Sequence, residues 1–288
     1  MSWLRRWGGY LALVVVFATV CGLLSWWQWA RREEALDRIA VIEANYDAAP
    51  VPVAEVLPDP DAEDEAAQWT PVTLVGEYLP EQQLVVRNRP YGAAAGFEVL
   101  VPLRTADGTL WIVDRGWVPV GSTPDAPDAV PAPPSGEVTV VVRLRTGEAT
   151  IAGRGAPAGQ VATINLPTIA DLLGDEVAIG MYGQLVSEDP APASAPLPAV
   201  PPEVDEGPHL SYALQWIAFG LLAVVALVWA VRRERRIARE DAGEIPARPA
   251  RTRVTDADIE DALLDAAEGA SAGRVETSAD QARATRPA

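Results

Sequence analysis

Two apolar runs of bilayer-spanning length, near opposite ends of the chain, constrain this sequence more than any other feature. The first covers Tyr10–Trp29 and the second Leu210–Val231, and neither contains an Asp, Glu, Lys or Arg. About 20 helical residues at about 1.5 Å each match the roughly 30 Å hydrocarbon core of a bilayer. The expectation is a chain that crosses a membrane twice and hangs about 180 residues between the crossings. The first run also has a signal-peptide look, because Arg5 and Arg6 precede it. It is long for such a segment, however, and Trp26, Trp27 and Trp29 stand where a cleavage site belongs. Those indoles fit an interfacial aromatic belt instead. Nor does Cys21 follow a lipoprotein pattern, since Val20 fills the position that needs a small residue. An uncleaved anchor is the reading.

Arginine placement sets the expected orientation, because the chain has no lysine. Arg5 and Arg6 precede the first run, and Arg232, Arg233, Arg235, Arg236 and Arg239 follow the second. Between the runs, Arg31, Arg32 and Arg38 are interleaved with Glu33, Glu34 and Asp37, and no Arg lies between Arg154 and the second run. This asymmetry places both termini in the cytoplasm and the central domain outside. The composition, rich in Ala and Arg and free of Lys, fits a GC-rich bacterial genome. In that setting the chain is a multi-pass protein of the cell (plasma) membrane.

The formal net charge of −17 is carried mostly by the central part, where residues 31–208 hold 28 acidic residues against 10 Arg. Such a surface repels nucleic acid and anionic lipid; it suits a solvated exported domain or a basic partner. The single cysteine, Cys21, lies in the first run, which excludes a disulfide framework and a thiol metal site.

The intervening pattern is mostly strand. Residues 1–9 form a cytoplasmic N-terminus, 10–29 the first transmembrane helix and 30–48 a juxtamembrane helix. The last is marked by Leu36, Ile39, Ile42 and Tyr46 at spacings of three and four, and is stopped by Pro50 and Pro52. Strand signals cover Trp69–Tyr78, Leu84–Val86, Phe97–Leu103, Leu110–Val118, Val138–Leu144 and Val177–Val186. Asp107-Gly108 joins two of these as a hairpin. Leu166-Pro167 opens a short helix through Leu173, closed by Gly174. One β-rich domain over 69–188 follows. A linker over 189–208 comes next, and Ser187–Pro208 holds seven prolines that favour a polyproline spacer standing the domain off the second span. The second transmembrane helix occupies 209–231, and 232–288 is a cytoplasmic, largely disordered tail. Within the tail, Thr255–Asp258 is a capping-box-like start ahead of Ile259, Leu263 and Leu264. The fold class is a membrane protein: two transmembrane α-helices flanking an extracytoplasmic, mostly antiparallel β (α+β) domain.

Chemistry is limited by what is missing. With one histidine and one cysteine, a His/Cys zinc site, a Ser-His-Asp triad and a Cys-His pair are excluded from the central domain, and no Gly-rich phosphate loop is present. A conventional hydrolase or kinase is not expected, and the reading is not an enzyme. The lone His209 opens the second span in Pro208-His209-Leu210-Ser211-Tyr212-Ala213-Leu214-Gln215-Trp216. An imidazole can ligate heme iron through one nitrogen while the other donates to a neighbour. On a helix starting at His209, Tyr212 and Trp216 fall near its face and Gln215 lies close by, a candidate pocket. The plainer reading is a helix-start cap. A second cluster runs Arg87-Asn88-Arg89-Pro90-Tyr91-Gly92, Gly96-Phe97-Glu98-Val99-Leu100-Val101-Pro102-Leu103 and Asp114-Arg115-Gly116-Trp117-Val118-Pro119. Arg87, Arg89 and Arg115 are candidate contacts for propionates or for a partner's carboxylates. Internal salt bridges holding a hairpin are the alternative.

These motifs carry a resemblance. An anchor with Trp27-Gln28-Trp29 and Arg near its outer end comes first. It is followed by Gly76-Glu77-Tyr78, Arg87–Pro90, Gly96–Leu103, Asp114–Pro119 and His209–Trp216. In content and order this resembles the Surfeit locus protein 1 family, called Shy1 in yeast, over about residues 10–231. Departures are Asp114, where many members have Asn, the Pro-rich insertions and the tail. The resemblance implies an assembly factor for cytochrome c oxidase, a heme–copper oxidase. Its partners would be subunit I and its assembly intermediates, and its task to help heme a reach subunit I, with His209 as candidate heme ligand. Heme a would be held transiently, and no other metal or cofactor is implied. The alternative is a permanent accessory or structural subunit of a respiratory oxidase complex.

Overall fold

The computed structural model describes residues 2–246, apart from Pro124 and Asp175, together with Glu260. The capping-box stretch expected from Thr255 lies, except for Glu260, outside the described residues. Two compact units are present, residues 1–223 and 224–288. The second holds the later turns of the last helix, where Arg236 pairs with Glu240 at 2.8 Å one turn on.

Helix α1 spans Ser2–Asn45 without a break, so the first apolar run and the expected juxtamembrane helix are one element. After it come β1 (Val51–Pro52), the single-turn α2 (Val53–Val56), β2 (Pro71–Tyr78) and β3 (Leu84–Tyr91). Next are β4 (Ala94–Thr105), β5 (Leu110–Pro119), β6 (Glu137–Thr146) and β7 (Gln160–Val161). The chain continues through α3 (Leu166–Leu173) and β8 (Met181–Asp189) to α4 (His209–Asp241). Two long apolar helices thus flank a β-rich domain. Both are long and apolar enough to cross a bilayer, and their apolar side chains are mostly exposed.

The domain is a closed barrel. Strands pair in the order β2-β6-β8-β5-β4, and β4 pairs back onto β2, so the ring has no free edge. Gly76 sits at the closure, opposite both Thr105 of β4 and Val138 of β6. A Cβ there would collide with the Arg104 carbonyl, so the approach of the two strands needs glycine. Most ring pairings are antiparallel, as expected, but β5 runs parallel to β8. The interior is filled by inward residues such as Val72, Leu74, Val99, Val101, Trp111, Val113, Val140 and Val142. A second apolar layer, Leu84, Val86, Leu100, Leu110 and Ile112, lies on the outer face and is covered by Leu166 and Ile169 of α3. Strand β5 is therefore buried on both sides, which is why Leu110–Val113 is a continuous apolar run. Helix α3 keeps its expected bounds. The Asn165 side chain accepts from Thr168 N at 3.1 Å, and Gly174 closes the helix at φ 69°.

A bulge in the β4–β5 register, between Glu98 and Leu100, resets the alternation of β5. Asp114 and Arg115 can then both be buried, facing opposite sides of the barrel wall. The proline-rich segment is not a free spacer. Leu197 exchanges both backbone hydrogen bonds with Trp117, each 2.8 Å, and Pro196 is buried. Further on, Glu206 pairs with Arg32 of α1 at 2.8 Å. The expected stand-off fails because this segment finds backbone partners on β5 and a charge partner on α1.

Candidate functional site

Helix α1 carries a seam at alternating spacings of three and four: Ala18, Cys21, Ser25, Gln28, Arg32, Ala35, Ile39 and Ile42. These residues are buried or half-buried while most of their neighbours are exposed. Leu36, expected on the packed face, is instead exposed, and Ala35 takes that place. The facing seam of α4 begins His209, Ala213, Trp216, Gly220. Its residues are small where the backbones meet: Ala213 is fully buried, and a Cβ on Gly220 would lie 3.5 Å from the Cys21 Cβ. Small residues allow close helix approach without side-chain gaps.

That close approach brings two polar side chains together at the start of α4. His209 Nδ1 lies 2.8 Å from Gln28 Oε1, across 181 residues of sequence. Gln28 Oε1 can only accept, so a hydrogen bond between the two calls for the proton on Nδ1. The Nε2 edge of the ring borders Gly207, whose added Cβ would lie 3.5 Å from Cδ2 and 3.6 Å from Nε2. One turn beyond Gln28, the Arg32–Glu206 pair ties the approach to α4 onto α1. The site thus offers one half-buried imidazole that meets Gln28 through Nδ1, leaving Nε2 as the nitrogen for an axial ligand bond.

The other expected pocket residues are arranged less tightly. Trp216 is half-buried and meets Phe219 edge-on at 5.8 Å. Tyr212 is 46% exposed and Gln215 is exposed, so both flank the seam. The three arginines each find carboxylates within the β domain. Arg87 pairs with Asp125 at 3.2 Å, and Arg89 pairs with Glu98 at 2.8 Å and Glu148 at 2.6 Å. Arg115 is fully enclosed and donates from Nε and Nη2 to the two oxygens of Glu188, at 2.7 and 3.0 Å, and from Nη1 to the Pro131 carbonyl at 2.8 Å. Its guanidinium is closed to an outside ligand. Arg87 and Arg89 keep partial exposure, and among the described contacts none of the three touches α4.

The outer wall of the barrel holds a row of charges. Asp114 is buried, and that burial, with the Glu98 carboxylate adding to it, pushes its carboxyl up to about 7. Burial also raises the Glu98 carboxyl, against the pull of Arg89. Asp114 accepts from Gly116 N at 3.0 Å. At the end of α1, two arginines of β6 fasten the barrel. The Arg143 guanidinium lies 3.7 Å from the Tyr46 ring and its Nε donates to the Tyr46 carbonyl at 3.0 Å. Arg145 lies 3.8 Å from the Trp69 ring. Beside them a cleft of about 340 Å³ opens between α1, the barrel and the proline-rich segment, lined by Arg38, Ile39, Trp69, Arg145 and Glu203 among others.

Sequence reasoning named His209 but not Gln28, Arg32 or Glu206 as its surroundings. A signal was present: Gln28 is the only side-chain amide in the Tyr10–Trp29 run. A polar residue in such a run is costly unless it finds a partner.

The sequence pattern that defines the SURF1 family matches residues 15–221, which include both helix seams up to Gly220 and the whole barrel. Uncharacterized SURF1-like proteins of Mycobacterium bovis and Mycobacterium tuberculosis are 36% identical to this chain over 249 residues, covering 83% of it and 89% of theirs. The order of long apolar helix, barrel and His209-led helix is accounted for by one conclusion: the chain belongs to the SURF1 family.

Proposed function

We propose that this protein is an assembly factor for cytochrome c oxidase that assists the delivery or insertion of heme a into subunit I, and that it is not an enzyme. Family membership supports the oxidase as client. The observation that carries the heme reading is the His209–Gln28 pair, a single oriented imidazole at the end of an apolar two-helix seam. Both long helices span the bacterial cell membrane in this proposal, with the termini in the cytoplasm and the barrel outside. The arginine asymmetry supports that orientation.

Heme a is cargo here rather than a resident cofactor, and its iron supplies a Lewis-acid centre for an axial nitrogen. His209 Nε2 is that nitrogen, at the outer edge of the membrane. There an apolar porphyrin face and tail would meet lipid and the propionates would meet water. Tyr212 and Trp216 supply aromatic surface on the same helix. Arg87 and Arg89, though paired with carboxylates of the β domain, keep partial exposure on the side where a partner's carboxylates would meet them.

The test is a pyridine hemochrome spectrum of detergent-solubilised protein from cells that make heme a. Wild-type protein should carry heme, and His209→Ala should lose most of it while keeping normal expression and membrane insertion. The single histidine makes this clean, since no other imidazole can substitute. Full heme occupancy in His209→Ala would rule out His209 as the ligand.

A further inference from the structure

We infer that Gln28 is a positioning residue that holds His209 in its Nδ1–H form, so that Nε2 is presented as the free electron-pair donor. The inference rests on the reading of His209 as an iron ligand, but its first test does not.

Neutral imidazole has two tautomers, and only the unprotonated nitrogen can ligate a metal. Which one is unprotonated is decided by the neighbour that the other nitrogen meets. The neighbour here is a side-chain oxygen, Gln28 Oε1, 2.8 Å from Nδ1. An amide oxygen accepts and cannot donate, so the proton sits on Nδ1 and the lone pair on Nε2. The pair is held from both sides. Gln28 is fixed on the α1 seam between Ser25 and Arg32, both on the packed face. His209 is fixed at the start of α4 by the Ala213 and Gly220 packing below it, and by the Arg32–Glu206 ion pair beside it. Nε2 lies on the ring edge beside Gly207, where a Cβ would be 3.6 Å from it. A second role follows from this arrangement. Because the imidazole comes from α4 and its orienting group from α1, the donor is set only when both helices are packed together. A loosened pair would free the ring to take the other tautomer and to turn away.

The first experiment uses the full-length protein in detergent, labelled with 15N-histidine, at a pH where the ring is neutral. One histidine gives one ring spin system, and its two nitrogen shifts report the tautomer. Wild type should show Nδ1–H. Gln28→Leu, which removes the acceptor, should move the population toward Nε2–H, and Gln28→Glu, which keeps an acceptor oxygen, should retain Nδ1–H. Dominant Nε2–H in wild type, or no change in Gln28→Leu, overturns the inference. The second experiment titrates hemin into the same three proteins and follows the Soret band. Loss of the partner of a ligating histidine typically weakens metal binding about 10–100-fold. Gln28→Leu should show a loss in that range, and Gln28→Glu should stay near wild type. Equal hemin affinity in wild type and Gln28→Leu removes the positioning role. If wild type shows Nδ1–H yet takes up no hemin, the heme reading fails while the assignment of Gln28 to the His209 ring stands.

Discussion

Arg115 Nε lies 2.7 Å from Glu188 Oε1, and the two side chains are 0% and 2% exposed. The ion pair is two-pronged, and the Tyr78 hydroxyl donates to the same carboxylate at 2.8 Å. Burial and the adjacent Glu188 charge keep that phenol protonated. Removing one partner of a buried pair leaves an uncompensated charge and costs about 3–5 kcal/mol, a large share of a domain's stability of about 5–15 kcal/mol. Arg115→Ala should therefore cut the amount of folded protein and lower the melting temperature in detergent. Arg115→Lys should recover little, because an ammonium cannot reproduce the fork. A normal melting curve with lost oxidase assembly would show instead that Arg115 serves a partner.

Asp114 makes stability depend on pH. Its folded carboxyl is raised to about 7, whereas an unfolded one titrates near 4. Between these values the folded chain holds a proton that the unfolded chain releases. Stability from this group is therefore full below about pH 4 and is lost as pH rises toward 7 and above, by at most about 1.4 kcal/mol per pH unit. Asp114→Asn keeps an oxygen acceptor for Gly116 N and removes the titration. Melting temperatures taken from pH 4 to 8 should fall less steeply for Asp114→Asn than for wild type, with some slope left from Glu98. Parallel curves would contradict this.

Arg143 tests the fastening of the barrel to α1. Its guanidinium over the half-buried Tyr46 ring is worth about 1 kcal/mol, and its Nε also bonds the Tyr46 carbonyl. Arg143→Ala should raise amide hydrogen exchange around residues 45–48 and 68–70 while the barrel strands stay protected. Loss of protection throughout the barrel would mean that Arg143 supports the whole fold.

Part of this architecture is legible from local pattern alone. Leu166–Leu173 has its cap, its proline and its closing glycine in sequence, and the structure places the helix there. Asp107-Gly108 also forms the hairpin turn, with Asp107 accepting from Thr105 Oγ1 at 2.6 Å. What was not legible depends on residues distant in the chain. The strand signal ends at Val86, yet β3 continues to Tyr91 because β4 offers it a pairing edge, with an irregularity at Asn88 (φ 60°). Val177–Gly180 looks like strand, but β8 begins only at Met181, and Val177 makes a single bridge to Leu110. The docking of Leu197 on Trp117 has no local signal, because prolines on either side suggest only extension. The same holds for the site. His209 was visible as a lone imidazole, but its partner lies 181 residues earlier, and only the packing of two helices brings them together.

The proposed orientation has its own check. A reporter active only outside the cytoplasm should be silent when fused after Val231 and active when inserted near Pro127. The reverse pattern would overturn the topology and with it the placement of His209 at the outer edge.

The central claim is that the protein serves cytochrome c oxidase assembly, and deletion of its gene tests that most directly. The measurement is the heme a content of membranes by reduced-minus-oxidised spectra, alongside oxidase activity. Both should fall, with b-type cytochromes retained and heme a restored by the wild-type gene. Unchanged heme a in the deletion strain would contradict it.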